Sequence, residues 1–206
     1  MMRLLFPLIL FVTAAFGQYT LEPAATVPSD VPAPFAQLLS KSGEKIMSGG
    51  SVYCEIWLVS TKPNGPKSTE PSLTLPTIPH GSLLGVIHFP AQALDRRGQT
   101  IKPGYYTLRY SYYPQNGNHQ GVALQRDFMV LSRLADDTDA AAKPTFDALM
   151  QMSHKASGTP HPLILSCWAA DSGFKPGFVQ QGEDWVLETK LGDTPIAITL
   201  VGQFEG

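Results

Sequence analysis

The 206-residue chain carries 17 acidic and 15 basic side chains for a formal charge of -2, and only 16% of its residues are charged. This balance excludes the basic stripe that recognition of a phosphate backbone demands, and a 43% hydrophobic share excludes a chain too polar to fold. With 18 Gly and 18 Pro the sequence is rich in turns, and its length suits one all-β domain.

Residues 1–17 (MMRLLFPLILFVTAAFG) place Arg3 ahead of an apolar run from Leu4 to Val12, followed by the small residues Ala15 and Gly17 at signal-peptidase spacing. This reads as a secretory signal, so the mature chain is expected to begin near Gln18 as a secreted or periplasmic protein. The run is too short for a bilayer span of ~20 residues, and no membrane anchor is expected. Residues 18–43 form a Pro-rich leader, with Pro23, Pro28, Pro32 and Pro34, that ends in a short helix over Pro34–Ser42 stopped by Gly43.

From residue 44 to 206 strand patterns dominate. Ser51–Ser60 alternates, Thr61–Pro79 is a Pro-rich loop, and Ser82–Phe89 reads as a buried strand. Tyr105–Tyr113 (YYTLRYSYY) has an unbroken period of two, with Tyr106, Leu108, Tyr110 and Tyr112 on one face and Tyr105, Thr107, Arg109, Ser111 and Tyr113 on the other. A loop through Asn116-Gly117, Asn118 and His119 leads into a strand over Val122–Leu131. A second helix fits Pro144–Ala156, with Gly158 beyond its end. Strands follow at Pro162–Trp168, Trp185–Leu191 and Pro195–Phe204, the last two forming a hairpin around Gly192-Asp193. The expected architecture is a single antiparallel β-sandwich of about seven or eight strands with two short helices.

Cys54 and Cys167 each lie on the apolar face of a strand, so both point into the core, and an exported chain permits a disulfide between them. Two separate buried thiols are the alternative. The histidines His80, His88, His119, His154 and His161 show no local spacing that pairs two of them on one face, so a metal site would need dispersed ligands such as His80, His88, His119 or Asp127 to converge on folding. Asp136, Asp137 and Asp139 supply some of the oxygens that calcium requires, or simply an acidic turn before a helix. No G-x-S-x-G, H-E-x-x-H, P-loop or dinucleotide fingerprint is present, and no cofactor is implied.

The remaining signal is the aromatic strand. With Tyr106, Leu108 and Tyr110 facing inward, Tyr105, Arg109 and Tyr113 face outward beside Asn118 and His119. Flat rings flanked by guanidinium and amide donors suit a sugar, whose C–H face stacks on aromatics. Ordinary cross-strand packing accounts for the same residues. The stretches IKPGYYTLRYSYYP and WVLETKLGDTPIAITLVG resemble the Pro-Gly-x-Tyr strand opening and final hairpin of uncharacterised exported bacterial β-sandwich domains of the immunoglobulin-like type. That resemblance implies a fold and a bacterial source, and no chemistry. The expected function is an exported soluble binding or interaction module for a small molecule, glycan or protein. The alternative is an exported metalloprotein or hydrolase with a site assembled from dispersed His and Asp.

Overall fold

The computed structural model describes residues 19–113, 125–171 and 173–202. In chain order these form β1 (Tyr19–Ala24), α1 (Ala33–Ala36), β2 (Gly43–Ser48), β3 (Ser51–Leu58), β4 (Leu83–Phe89), β5 (Ala93–Leu94), β6 (Thr100–Ile101) and β7 (Gly104–Tyr112). They continue with β8 (Asp127–Arg133), α2 (Phe146–Ser157), β9 (Leu163–Ala169), β10 (Gly177–Gln181), β11 (Asp184–Leu191) and β12 (Thr194–Val201). The expected all-β, antiparallel class holds, but the sandwich of seven or eight strands does not. Ten strands make one sheet in the order β1-β2-β3-β4-β7-β8-β9-β12-β11-β10, while β5 and β6 form a separate small hairpin. A twisted sheet of this size curls on itself, and this one curls nearly into a barrel. Its first and last strands meet where the Tyr19 ring contacts Phe178 at 5.9 Å and Trp185 at 5.3 Å.

Strand parity decides what fills the interior. Register pairs Ile46 with Cys54, Ile87 with Tyr106, Leu108 with Leu131, Tyr110 with Met129 and Cys167 with Ile198, so these side chains share the inner face. All are fully buried. Two polar pairs also point inward and are satisfied there: Thr189 donates to the Glu44 carboxylate, joining β11 to β2, and Tyr110 Oη donates to Asp127 at 2.5 Å. Asp127 further accepts from Thr74 N at 2.8 Å, Thr74 Oγ1 at 3.0 Å and Leu75 N at 3.1 Å, which pins the long 61–82 loop across one mouth. Four donors on a buried carboxylate offset its desolvation.

Much of the outer face is covered as well. α2 begins at Thr145, whose side chain accepts from Ala148 N, and ends at Gly158 in the left-handed region. Leu149 of this helix packs with Phe128, Val130 and Ile164 in a second apolar cluster outside the main core. Ser153 Oγ donates to Leu131 O at 2.7 Å and accepts from Leu163 N at 2.9 Å, fastening the helix over β8 and β9. The leader opens with β1 and then carries the buried Val31, Phe35 and Leu39, and Trp57 Nε1 donates to Ala25 O at 2.9 Å.

Cys54 and Cys167 are both buried free thiols, and the expected disulfide between them is not formed. They sit on β3 and β9, four strand steps apart, roughly 19 Å around the wall at ~4.8 Å per step. Parity puts both indoors without making them neighbours. Burial pushes both thiols well above their usual range. The expected signal segment lies outside the described residues, among which no helix is long and apolar enough to cross a membrane.

Candidate functional site

The outer face of β1 to β7 carries one continuous cross-strand row. Register aligns Glu22 with Lys45, Lys45 with Glu55, Glu55 with His88 and His88 with Tyr105. Lys45 Nζ lies 2.8 Å from Glu22, His88 Nδ1 lies 3.3 Å from Glu55, and the His88 and Tyr105 rings stack at 4.2 Å with 15° between their planes. The stack fixes the Tyr105 ring, so presenting that ring to a ligand costs little further side-chain entropy.

Beside Tyr105 the row opens into a pocket of about 350 Å³ lined by Asp30, Pro32, Tyr105, Arg133, Leu134 and Ala135. Arg133 sits on the next strand, its guanidinium 4.8 Å over the Tyr106 ring, with Nη1 donating to Pro103 O at 2.9 Å. Gly104 makes this placement possible: it has φ +138, and a Cβ there would stand 2.7 Å from Arg133 Nη1. Asp30 comes from the leader, far away in sequence. Burial, reinforced by the Asp30 and Glu55 carboxylates, pushes the Tyr105 phenol up, so it stays a neutral donor near pH 7. The pocket therefore offers an aromatic ring and an acceptor-only carboxylate within one small concavity, while the Arg133 guanidinium at its border is turned to the Tyr106 ring.

The other sequence-predicted residues part company here. Arg109 is on the same face as Tyr105, as parity requires, but it is fully buried and does not reach a surface. Its five N–H donors are all engaged: Nε and Nη2 with Asp137 at 2.6 and 2.8 Å, Nη1 with Gly81 O at 2.8 Å and Ala142 O at 2.6 Å, and Nη2 with Asp139 O at 2.7 Å. Tyr113 is half-buried, with its ring 4.6 Å from Phe128. Asn118 and His119 lie outside the described residues. Of the predicted ligand surface, Tyr105 is the one described residue that lines the pocket. Asp30 and Arg133 carried no sequence signal, because neither belongs to a motif and only the fold brings them to Tyr105.

The dispersed-ligand alternative finds no assembled site among the described residues, where no three His, Cys, Asp or Glu side chains converge on a common point. Asp127 is consumed by its four donors. In the acidic turn, Asp137 holds Arg109, Asp136 pairs with Lys155, and Asp139 Oδ1 accepts from Ala141 N. His80 Nε2 lies 3.1 Å from Ser111 Oγ, the spacing of a nucleophile and base, yet Ser111 is fully buried and no carbonyl can approach it. A second open trough of about 400 Å³, lined among others by Leu38, Val59, Ser82, Leu83 and Lys143, has mainly apolar walls. No protein-family model, curated protein or solved structure matches the chain.

Proposed function

We propose that this chain is an exported binding module that takes a small polar ligand, a sugar or a sugar-like group, in the pocket beside Tyr105. The observation that supports this reading is the juxtaposition, in one concavity of about 350 Å³, of the Tyr105 ring with the Asp30 carboxylate. A pyranose presents an apolar C–H face and a rim of hydroxyls. The ring receives the face, and Asp30 accepts from hydroxyl donors. No nucleophile and base pair opens into this pocket, so the reading is of recognition without turnover. Export rests on the segment at residues 1–17.

The test is titration of the protein with a panel of mono- and oligosaccharides, followed by amide chemical-shift mapping. Binding should perturb amides of the leader near Asp30 and of the Tyr105 and Arg133 strands. Tyr105→Ala or Asp30→Ala should weaken it by roughly 1 to 3 kcal/mol. Perturbations confined to other surfaces, or hydrolysis of the bound sugar, would overturn the reading.

A further inference from the structure

The open trough of about 400 Å³ lies between the chain that follows α1 and the segment that precedes α2. Hydrogen bonds hold both of its walls. On one side Ser60 N and Ser60 Oγ donate to Leu38 O at 2.9 and 3.2 Å; on the other the buried Arg109 donates to Asp139 O at 2.7 Å and Ala142 O at 2.6 Å. A site framed in this way is largely formed before a ligand arrives, so little ordering cost attends binding.

Its lining divides by chemistry. Leu38, at 43% exposure, stands open to solvent beside the buried Val59 and Leu83. Among the described residues that line the trough there is no aspartate or glutamate, and Lys143 is the one cation. Lys143 is exposed and has no ion-pair partner among the described residues. Ser82 is only 3% exposed. Its N–H donates to Pro79 O at 3.2 Å and its C=O accepts from Tyr110 N at 2.9 Å, yet its hydroxyl has no partner among the described residues. A buried hydroxyl left without a partner is uncommon in a folded protein. The two polar residues belong to one end of the trough: Gly81, with φ +76, abuts the backbone of Lys143, where an added Cβ would lie 3.0 Å from the carbonyl carbon. Leu38 and Val59 form the facing wall.

We propose that this trough is a second binding site, for a small amphipathic carboxylate. Its apolar chain lies on Leu38, Val59 and Leu83, while its carboxylate faces Lys143 and gives the Ser82 hydroxyl the acceptor it lacks. Charge selects the class: an ammonium would meet like charge, and a neutral head would leave Lys143 unpaired. A volume of about 400 Å³ is near the small end of ligand sites, which keeps the chain short. The trough and the pocket beside Tyr105 share no described lining residue, so either site can fail without the other.

Isothermal titration of the full chain with octanoate, below its micelle concentration, tests this, with acetate, 1-octanol and octylamine as comparison probes. The expected result is saturable one-to-one binding of octanoate, weaker binding of octanol, and none of acetate or octylamine. Amide shifts should centre on residues 37–38, 59–61, 82–83 and 140–143. Lys143→Gln should weaken octanoate roughly three- to tenfold and leave octanol unchanged, with the difference shrinking in high salt. Leu38→Asn should weaken both. Ser82→Ala should weaken octanoate while the melting temperature holds or rises, since it removes a buried group that has no partner to lose. Octanoate that fails to saturate, or that binds no better than octanol or octylamine, overturns the proposal. So do shifts centred elsewhere, a Lys143→Gln that affects octanoate and octanol alike, or a Ser82→Ala that lowers the melting temperature and spares the affinity.

Discussion

Tyr105 and Tyr106 are consecutive residues on β7 with opposite surroundings, and strand parity is the whole reason. Tyr106 is fully buried, with its hydroxyl on Lys102 O at 2.7 Å, whereas Tyr105 is half-exposed against His88. Tyr106→Ala should cost about 3 to 5 kcal/mol of stability, and Tyr105→Ala about 1 kcal/mol or less. Thermal denaturation of the two variants side by side checks this, and the reverse order would place the pocket in the core. Alternation in YYTLRYSYY is legible as two faces, and it assigns Tyr106, Leu108 and Tyr110 to the interior correctly. It says nothing of what lies over the other face, which is why Arg109 reads as a surface residue when the 134–145 segment in fact buries it. His80 makes a second residue-level case. Burial holds its imidazole below the ordinary 6.5, against a smaller opposing effect of its hydrogen bond to Pro144. The neutral ring is the form the fold accepts, so its stabilisation is complete above about pH 6.5 and is lost as pH falls through the lower folded value. Urea midpoints measured across this window should fall on acidification, and His80→Gln should flatten that part of the slope. An unchanged slope in the variant would show that His80 is not the group responsible.

At the scale of elements, the Arg109–Asp137 pair clamps the segment before α2 onto β7. Asp137 also receives Thr107 Oγ1 at 2.6 Å, so removing either charged partner strands the other away from water. Arg109→Leu or Asp137→Leu alone should cost about 3 to 5 kcal/mol. The double variant should cost clearly less than the sum, because no orphan charge remains. A double-mutant cycle from chemical denaturation measures the difference, and strict additivity would mean that the two side chains do not act as a pair. Elements with strong punctuation are the ones sequence reading places well. The expected helix over Pro144–Ala156 is observed at Phe146–Ser157 with Gly158 as its stop, and the hairpin at Gly192-Asp193 is present. The strands that escape it lack a clean alternation. β2 (GEKIMS) points the charged Glu44 inward, where Thr189 satisfies it, β1 (YTLEPA) contains a proline, and β10 (GFVQQ) ends in exposed glutamines. In each case the missing signal is a partner from a distant strand, and local periodicity does not carry such information.

Over the whole molecule, the antiparallel all-β class and the parity of the central strands were legible, while the number of strands and closure were not. An inward-facing row looks the same whether it meets a second sheet, as in the expected sandwich, or the far wall of its own sheet, as observed. The pocket shares this limitation, since Asp30 reaches Tyr105 only after the leader has folded back over the sheet. Near-closure also implies an uneven distribution of stability. β4, β7, β8 and β9 are paired on both sides and largely buried on both faces, whereas β1 and β10 each lack a ladder on one side and are partly exposed. Amide hydrogen exchange in native buffer should therefore show protection highest in β7 and β8 and lowest in β1 and β10, because edge strands open without breaking the core. If the seam amides exchanged as slowly as those of β7, the barrel would be fully hydrogen-bonded around its circumference in solution.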